Sequence, residues 1–240
     1  MIKNFFLLVL KLFDFFNQRK IFNFLKKNNY THFDYLFDIG AHRGETIKLY
    51  INNFDIKFLY SFEASHINYL DLINNLKKYN KNEPKIITEN YAIGSENKKI
   101  RMKQMEESSS STLREINTKS KYFKKKSNIL FSRKKEDFFH DIETEQITLK
   151  EYLHQNKIPK IDFLKIDTEG YEYEVLLGLG DSITKVKIVL FEHHYHDMIK
   201  KNYKFCDIHN LLVKNNFYQI YKSKMPFRKT FEYIYINEGF

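Results

Sequence analysis

The sequence predicts an α/β fold built on a mostly parallel sheet with helices on both faces, and three observations lead to this prediction. Short apolar strand candidates alternate with helical stretches through most of the chain. Four of these strands end at an acidic residue. Two further strand candidates, residues 218–222 and 231–237, close the chain around Pro226. Alternating strands and helices are typical of a parallel sheet, and the terminal pair predicts one antiparallel strand near the C-terminus.

The composition is that of a globular domain with an excess of positive charge. The chain has 240 residues, 42% of them hydrophobic, and a net charge of +10. This charge favours anionic partners: a phosphorylated or acidic glycan precursor, a membrane surface or nucleic acid. A/T-rich codons also encode a Lys-, Asn-, Ile- and Phe-rich chain, so charge alone does not identify the partner. The lone Cys206 excludes an intrachain disulfide framework and fits a reducing cytoplasm, and we expect a buried, inert thiol.

The most informative stretch is residues 35–45, where an apolar strand stops at Asp38 and turns through Gly40 and Gly44 into a helix. Gly40 has no Cβ, so the backbone can bend sharply and a ligand can approach it closely. The start of the helix directs N–H groups and a partial positive charge toward the same crevice. Asp38 can accept hydrogen bonds from a ligand there. An ordinary strand-to-helix turn without a ligand is the alternative for this stretch taken alone.

A second strand, residues 57–62, leads into Glu63, which lies about 20 residues beyond the glycine turn. An acid at this spacing suits a ribose, because one carboxylate can accept hydrogen bonds from both ring hydroxyls. The turn lacks the middle glycine of G-x-G-x-x-G, so a dinucleotide fits poorly. Together the two strands predict a site for a nucleoside without phosphates.

Six motifs follow one another along the chain, and together they resemble one enzyme family. They are Phe37-Asp38-Ile39-Gly40-Ala41, Phe62-Glu63, Ala92-Ile93-Gly94, Ser109-Ser110-Ser111-Thr112, Ile147-Thr148-Leu149 and the block from Ile161 to Gly170. The series resembles the FkbM family of S-adenosylmethionine-dependent methyltransferases over residues 35–195, and the last block is its most specific part. His42, Ala64 and Lys150 depart from the residues usual in that family. These departures concern the substrate rather than the cofactor.

The resemblance implies a Rossmann-like class I methyltransferase fold with a seven-stranded sheet, and S-adenosyl-L-methionine as the cofactor. It also implies that the end of the third strand, residues 90–93, lies near the adenine. The residues predicted to bind the cofactor are Asp38, Gly40, Ala41, Gly44, Glu63, Asn90 and Ala92.

Acids end four of the predicted strands, at Asp38, Glu63, Asp167 and Glu192. Ligands of an open parallel sheet bind beyond the carboxyl ends of the strands, so these acids should converge on one crevice. Methyl transfer to a hydroxyl needs the acceptor held in line and a base that removes its proton. The predicted catalytic residues are Asp167, Glu169, Glu192 and His194, with His193 and His196 as further candidates for the base.

Two other roles are possible for these strand-end acids and the histidines near them. Lys165 and Asp167 share one face of a strand, and an internal ion pair between them would make either residue structural. The acids and histidines could also hold a divalent metal, but their spacing matches no closed metal motif, and we predict no metal. Full activity after exhaustive chelation would exclude one.

The predicted organisation is an N-terminal amphipathic helical segment, residues 1–30, followed by one methyltransferase domain, residues 31–240, with a basic insert over residues 100–146. Residues 95–146 look like the least regular part of the chain. Within them, residues 119–135 hold eight Lys and Arg and no acid. This run is either a solvated face or mobile loop, or a lid that holds a phosphate or uronate of the substrate.

The N-terminal segment, residues 1–28, has two open roles. Its longest uninterrupted apolar run is about six residues, far short of the ~20 that span a bilayer. No small-residue cleavage site follows it, so we expect no signal peptide. The segment either covers one face of the sheet or lies on an anionic membrane surface.

The function predicted is an S-adenosylmethionine-dependent O-methyltransferase acting on a hydroxyl of a sugar, a surface glycan or a related small metabolite. We expect a cytoplasmic or membrane-peripheral enzyme whose acceptor is a small molecule or glycan, for which the charge favours an anionic one. A nicotinamide-dependent oxidoreductase is disfavoured by the missing glycine. A nucleic-acid-binding or nucleic-acid-modifying protein is disfavoured because neither an Asn/Asp-Pro-Pro-Tyr/Phe loop nor an RNA-binding aromatic signature occurs. A module that binds the cofactor without turnover is the last alternative.

Overall fold

The computed structural model describes residues 2–77, 84–106, 110–130, 138–226 and 228–240, with side chains described from Leu12 onward except at residues 129 and 130. The helices are α1 (Ile2–Lys27), α2 (Glu45–Asn53), α3 (His66–Leu76), α4 (Lys121–Leu130), α5 (Leu149–Gln155), α6 (Glu172–Leu177) and α7 (Phe205–Lys214), and a 3-10 helix covers Gly180–Lys185. The strands are β1 (His32–Ile39), β2 (Asp55–Phe62), β3 (Lys85–Glu89), β4 (Ala92–Ile93), β5 (Lys98–Met105), β6 (Phe139–Ile147), β7 (Ile161–Ile166), β8 (Val186–His194), β9 (Phe217–Lys224) and β10 (Thr230–Asn237). Ser109 of the quoted motifs and residues 131–135 of the basic run lie outside the described residues.

Seven strands form the main sheet, in the order β3-β2-β1-β7-β8-β10-β9. β1 lies between β2 and β7 and pairs with both in parallel, so that Phe37 is opposite Tyr60 on one side and Leu164 on the other. β10 pairs antiparallel with both of its neighbours, β8 and β9. Among the described strands of this sheet, β10 alone runs against the rest. The predicted fold, a mostly parallel seven-stranded sheet with one antiparallel strand near the C-terminus, is confirmed.

The central strands are apolar on both faces because helices cover both sides of the sheet. All six residues of β7 are buried. On β1, Leu36 packs with Ile47 of α2 and Leu72 of α3, whereas Phe37 belongs to the opposite core with Leu153 of α5. Full burial of each such side chain contributes about 1.5–3 kcal/mol, so the two cores fix which face each strand residue occupies.

Two expectations about local structure were wrong. Residues 95–146 are not the least regular part of the chain, because β5 and β6 form an antiparallel ladder and β4 joins β6 in a second, three-stranded sheet. This pairing is long-range, so it leaves little trace in local sequence. Cys206 is exposed rather than buried, because its neighbours on α7, Phe205 and Ile208, are the ones that pack on the core.

The C-terminal half of α1 covers one face of the sheet. Ile21, Phe22 and Leu25 are buried in the same core as β1 and α2. Asn17 donates a hydrogen bond to the buried carboxyl of Glu232 on β10. Deletion of the segment therefore removes part of the core, whatever the first half of the helix does. Among the described residues, no helix is both long enough and apolar enough to cross a membrane.

The adjacent strands β1 and β7, in the middle of the sheet, are joined by a buried ion pair. Lys165 Nζ lies 2.9 Å from Asp38 Oδ1 and 3.6 Å from Asp167 Oδ2, and it donates a hydrogen bond to the Gly40 carbonyl at 3.2 Å. Burial alone would lower the pKa of Lys165, but the charges of Asp38 and Asp167 outweigh it and leave the pKa raised. The register of β1 on β7, which sets Asp38 opposite Lys165, makes this contact.

Replacing Lys165 with Met should lower the free energy of unfolding by about 3–5 kcal/mol, because Asp38 would be left buried without its partner. The double variant Lys165→Met/Asp38→Asn should recover part of that loss in urea denaturation. A double variant no more stable than the single one would contradict this account of the pair.

Contact of α1 with a membrane surface stays a prediction, and the structure offers a direct test. Leu12 and Phe16 are about half exposed, at 52% and 47%, and the helix ends in Lys26 and Lys27 with no acid in its first turn. We expect binding to phosphatidylglycerol-containing vesicles in co-sedimentation, weakened at least about tenfold in Leu12→Asn/Phe16→Asn. The matched control, Ile67→Asn/Leu70→Asn, changes exposed apolar residues of α3. Equal losses in both variants, or no binding by the unaltered chain, would refute the prediction.

Candidate active site

A cleft with a volume of about 1410 Å³ lies beyond the carboxyl ends of β1, β2, β7 and β8. Ligands of open parallel sheets bind at this edge. The volume exceeds the roughly 300–1,000 Å³ of a typical small-molecule site, so the cleft has room for two ligands. The sheet order places the ends of β1 and β2 on one side and those of β7 and β8 on the other. We call these sides the β1–β2 half and the β7–β8 half.

The glycine turn after β1 forms the wall between the two halves. Gly40 has a φ of 82°, and a Cβ at this position would lie 1.9 Å from the Asp167 carbonyl oxygen, so no other residue fits without moving the backbone. The backbone N–H groups of Gly40 and Ala41 both donate to the Phe62 carbonyl at 3.0 Å. Gly40 and Ala41 line the cleft as predicted.

Gly44 has a packing role instead. It also has a φ of 82° and precedes α2, but the cleft wall does not include it. A Cβ on Gly44 would lie 2.7 Å from Leu72 Cδ1. The small residue therefore lets the start of α2 pack against α3, and its predicted contact with a ligand is not seen in the wall.

Glu63 lines the β1–β2 half and is held by backbone amides. Its Oε2 accepts a hydrogen bond from His42 N at 2.8 Å, and its Oε1 accepts one from Ser65 N at 2.9 Å. Burial raises the pKa of Glu63, although the hydrogen bonds from Ser65 and His42 oppose the shift. A carboxylate oxygen has two lone pairs, so Oε2 can accept from a ligand as well.

Asp38 does not line the cleft, and its predicted contact with the cofactor stays a prediction. Its side chain is fully buried, with one oxygen on Lys165 and the other accepting a hydrogen bond from Thr46 Oγ1 at 2.7 Å. The cleft wall includes Thr46 and Lys165 but not Asp38. Asp38 lies one layer below the surface and fixes the groups that form it.

Asn90 lies outside the cleft wall and contacts the backbone of Glu63, whereas the three residues after it line the cleft. The side-chain amide of Asn90 donates to the Glu63 carbonyl at 2.8 Å, and Asn90 borders a separate, smaller surface pocket. The third strand ends at Glu89, and Ala92 begins a strand of the second sheet. That break turns Tyr91, Ala92 and Ile93 toward the β1–β2 half.

All four predicted catalytic residues, Asp167, Glu169, Glu192 and His194, line the β7–β8 half. His194 Nε2 lies 3.2 Å from Glu169 Oε2 and 3.0 Å from Glu192 Oε1, so its imidazole bridges two carboxyl groups. The other ring nitrogen, Nδ1, is buried and has no hydrogen-bond partner among the described residues.

The environment gives these carboxyl groups unusual acidities. Burial raises the pKa of Glu169 to about 7, although the charges of His194 and Lys126 oppose the shift. Burial, reinforced by the charge of Asp167, raises the pKa of Glu192 well above its usual range. Burial also lowers the pKa of His196 to about 3, so that ring is neutral at neutral pH. A carboxyl group that titrates near neutrality can take up a proton there, as a general base must.

The insert holds the Glu169 turn in place. Glu169 has a φ of 50°, in the left-handed region that non-glycine residues rarely adopt. Thr112 Oγ1 donates to the Glu169 carbonyl at 2.7 Å, and Arg114 Nε donates to the Gly170 carbonyl at 3.1 Å. Glu172 Oε1 accepts from Gly170 N at 2.8 Å. These contacts restrain the backbone that carries the Glu169 side chain.

The β7–β8 half also contains residues that were not predicted, among them Asp14, Tyr122 and Arg228. An Arg228 Nη2 atom lies 2.9 Å from Asp14 Oδ2, and the Tyr122 ring stacks on His196 with centroids 4.1 Å apart. Pro226 lies between two strand candidates and therefore marks a turn, and Arg228 belongs to that turn. The turn follows β9 and lies at the same edge of the sheet as the other carboxyl ends, so its position near the cleft was predictable. Asp14 and Tyr122 arrive by long-range packing, for which the sequence carried no comparable signal.

In the part of the chain that the structure describes, no group of three or more His, Cys, Asp or Glu side chains is placed to hold a metal ion. In the Glu169–His194–Glu192 cluster, the imidazole nitrogen contacts both carboxyl groups directly. That no metal takes part in the reaction stays a prediction.

Comparison with solved structures supports a methyltransferase fold. A methyltransferase FkbM from Methylobacillus flagellatus KT aligns with a TM-score of 0.53 and 15% identity, over 84% of this chain and 43% of that one. Magnesium protoporphyrin IX methyltransferase from Synechocystis PCC 6803, solved with bound S-adenosylmethionine, aligns with a TM-score of 0.53 and 8% identity, over 95% of this chain and 79% of that one. At these identities the likeness concerns the fold alone, and this chain spans less than half of the first structure.

Sequence comparison identifies the family. A comparison with curated proteins gave no match. A family model described as "Methyltransferase FkbM domain" matches residues 38–220, which is more than half of the chain. This range contains the glycine turn, Glu63 and the Glu169–His194–Glu192 cluster. The chain therefore belongs to the FkbM methyltransferase family.

Proposed function

We propose that this chain is an O-methyltransferase that transfers a methyl group from S-adenosyl-L-methionine to a hydroxyl of a sugar, a surface glycan or a related small metabolite. Because the chain belongs to the FkbM methyltransferase family, we expect the reaction to be a methyl transfer. One observation favours a hydroxyl as the methyl acceptor. His194 contacts both Glu169 and Glu192, and this cluster lies in the same cleft as Glu63. A hydroxyl must lose its proton as its oxygen is methylated, so an O-directed site needs a base at that point.

The β1–β2 half fits the cofactor. Glu63 Oε2 can accept from a ribose hydroxyl, and the wall formed by Tyr91, Ala92 and Ile93 suits the flat, largely apolar face of adenine. Gly40 makes room for the Asp167 carbonyl, and its own backbone lines the cleft beside Ala41. When bound, S-adenosyl-L-methionine supplies an electrophilic methyl group on a sulfonium centre.

The β7–β8 half supplies the base. In the proposed reaction Glu169 accepts the proton of the acceptor hydroxyl as that oxygen takes the methyl group. His194 Nε2 contacts the carboxyl groups of both Glu169 and Glu192, so this one ring nitrogen holds Glu169 in position beside Glu192. Thr112 and Arg114 restrain the backbone that carries Glu169. Fixing base and acceptor in this way contributes to the rate through positioning.

The proposal is tested by incubating the purified chain with S-adenosylmethionine and a panel of sugars, glycosides and acidic glycan fragments. We expect S-adenosylhomocysteine to form together with a methyl ether, identified by mass spectrometry and by its methoxy NMR signal. Methylation confined to a nitrogen atom or to an oligonucleotide would contradict the proposal. A thermal-shift screen with S-adenosylmethionine, S-adenosylhomocysteine, NAD and a random oligonucleotide comes first, because a ligand that binds the folded state raises the melting temperature.

Replacing Glu63 with Ala should weaken S-adenosylhomocysteine binding at least about tenfold, because a charged acceptor of ribose hydrogen bonds is lost. Isothermal titration calorimetry measures the change. Glu143→Ala, which alters an exposed acid of the second sheet, is the matched control and should leave the affinity unchanged. Unchanged affinity in the Glu63 variant would remove this residue from the cofactor site.

The rate of methyl transfer should rise with pH and level off above about 7, the value to which burial raises the pKa of Glu169, because a base acts only when deprotonated. Below that value kcat/KM should fall about tenfold per pH unit. Glu169→Gln should lower kcat by about 10²–10⁴-fold and abolish this limb of the profile, with cofactor binding retained. A Gln variant with the normal profile would assign the base elsewhere.

A further inference from the structure

The β7–β8 half of the cleft has an acidic floor and a basic roof. The floor is the carboxyl cluster at the ends of β7 and β8. Six cationic side chains line the space above it, from the loop before α4, from α4 itself and from the turn between β9 and β10: Lys119, Lys121, Lys125, Lys126, Arg228 and Lys229. Among the described residues, Lys119, Lys121, Lys125 and Lys229 form no ion pair. The acids of the floor are occupied with one another, with His194 and with Lys165.

Two of the cations, Lys126 and Arg228, lie deepest. Both are half-buried, and each lowers the pKa of a carboxyl group in the floor. Lys126 opposes the rise in the pKa of Glu169, and Arg228 opposes the rise in the pKa of Glu192. Lys126 donates a hydrogen bond to Ser110 Oγ, and an Arg228 Nη2 atom is held by Asp14. Both heads are therefore fixed beside the carboxyl groups rather than extended into solvent.

The helix that carries Lys125 and Lys126 is anchored over the site. Tyr122 stacks on His196 at an interplanar angle of 13°, and Phe123 is buried against Phe138. α4 is thus packed through one side, which leaves Lys125 and Lys126 on the cleft wall and Lys124 exposed outside it. The described part of the basic run, residues 119–130, therefore covers the cleft on one side, and it is not only a solvated face.

We propose that this roof is an anion subsite, and that the methyl acceptor carries an acid group, a carboxylate or phosphate, beside the hydroxyl to be methylated. The inference rests on the proposed function, because it describes the acceptor of that same reaction. Cationic groups in a partly enclosed cleft bind an anion more tightly than exposed ones do, since water screens them less. They would also stabilise the negative charge that develops on the acceptor oxygen. A nucleic acid would need a basic surface that continues along the outside of the domain, whereas these cations face one cavity.

Anion binding can be measured without turnover, so a failure here is distinct from failure of the proposed methyl transfer. Inorganic phosphate is titrated by calorimetry into the full chain saturated with S-adenosylhomocysteine, and the titration is repeated with methyl glucopyranosiduronate and with the neutral methyl glucopyranoside. We expect phosphate and the uronate to bind and the neutral glycoside to bind at least about tenfold more weakly than the uronate.

Two matched variants of α4 locate the site. Lys126→Ser should weaken binding of phosphate and of the uronate at least about tenfold, since a charge-assisted contact is lost. Lys124→Ser removes the same charge from the same helix outside the cleft and should change the affinity less than about twofold. Equal losses in the two variants, or phosphate that binds no better than the neutral glycoside, would overturn the proposal. It would also be overturned if a random oligonucleotide bound more tightly than phosphate and lost that affinity in Lys126→Ser.

Discussion

The site depends on one electrostatic constraint, the burial of the Lys165 ammonium group between the carboxylates of Asp38 and Asp167. Taking these charges out of water is costly unless they lie against one another, so β1 and β7 are held in the register that brings them together. The same ammonium group bonds the Gly40 carbonyl, and a Cβ on Gly40 would collide with the Asp167 carbonyl. The glycine turn after β1 and the carboxyl end of β7 are therefore fixed relative to each other.

The two halves of the cleft have different chemical properties. The β1–β2 half offers an apolar wall and the amide-bound carboxylate of Glu63, which suit a nucleoside. The β7–β8 half concentrates carboxyl groups so closely that burial and mutual repulsion raise the pKa values of Glu169 and Glu192. His194 from below and the cations of α4 and the β9–β10 turn from above offset that repulsion. The insert contributes twice, since Thr112 and Arg114 hold the Glu169 turn and α4 covers the β7–β8 half of the cleft.

The sequence was sufficient for the features that local pattern controls. Strands that end in an acid before a turn bring their ends to one edge of a parallel sheet, and Glu63, Asp167, Glu169, Glu192 and His194 all line the cleft. The structural role of Asp38 could not be read in this way, because it depends on which strand pairs with β1 and in what register. The same limit applies to the β5–β6 ladder and to Asp14, which reaches the site only because α1 folds back over β10. Gly44 and Asn90, which were predicted to contact the cofactor, lie outside the cleft wall and contact Leu72 and the Glu63 carbonyl instead. Local sequence does not show whether a turn residue serves packing or a ligand.

A crystal structure of the chain with S-adenosylhomocysteine tests the central claim most directly, namely that one cleft holds a nucleoside on Glu63 and an acceptor beside Glu169. The account predicts that the ribose hydroxyls bond the Glu63 carboxylate and that the sulfur faces the space between Glu169, His194 and α4. A ligand bound elsewhere, or bound with its sulfur directed away from Glu169, would contradict it.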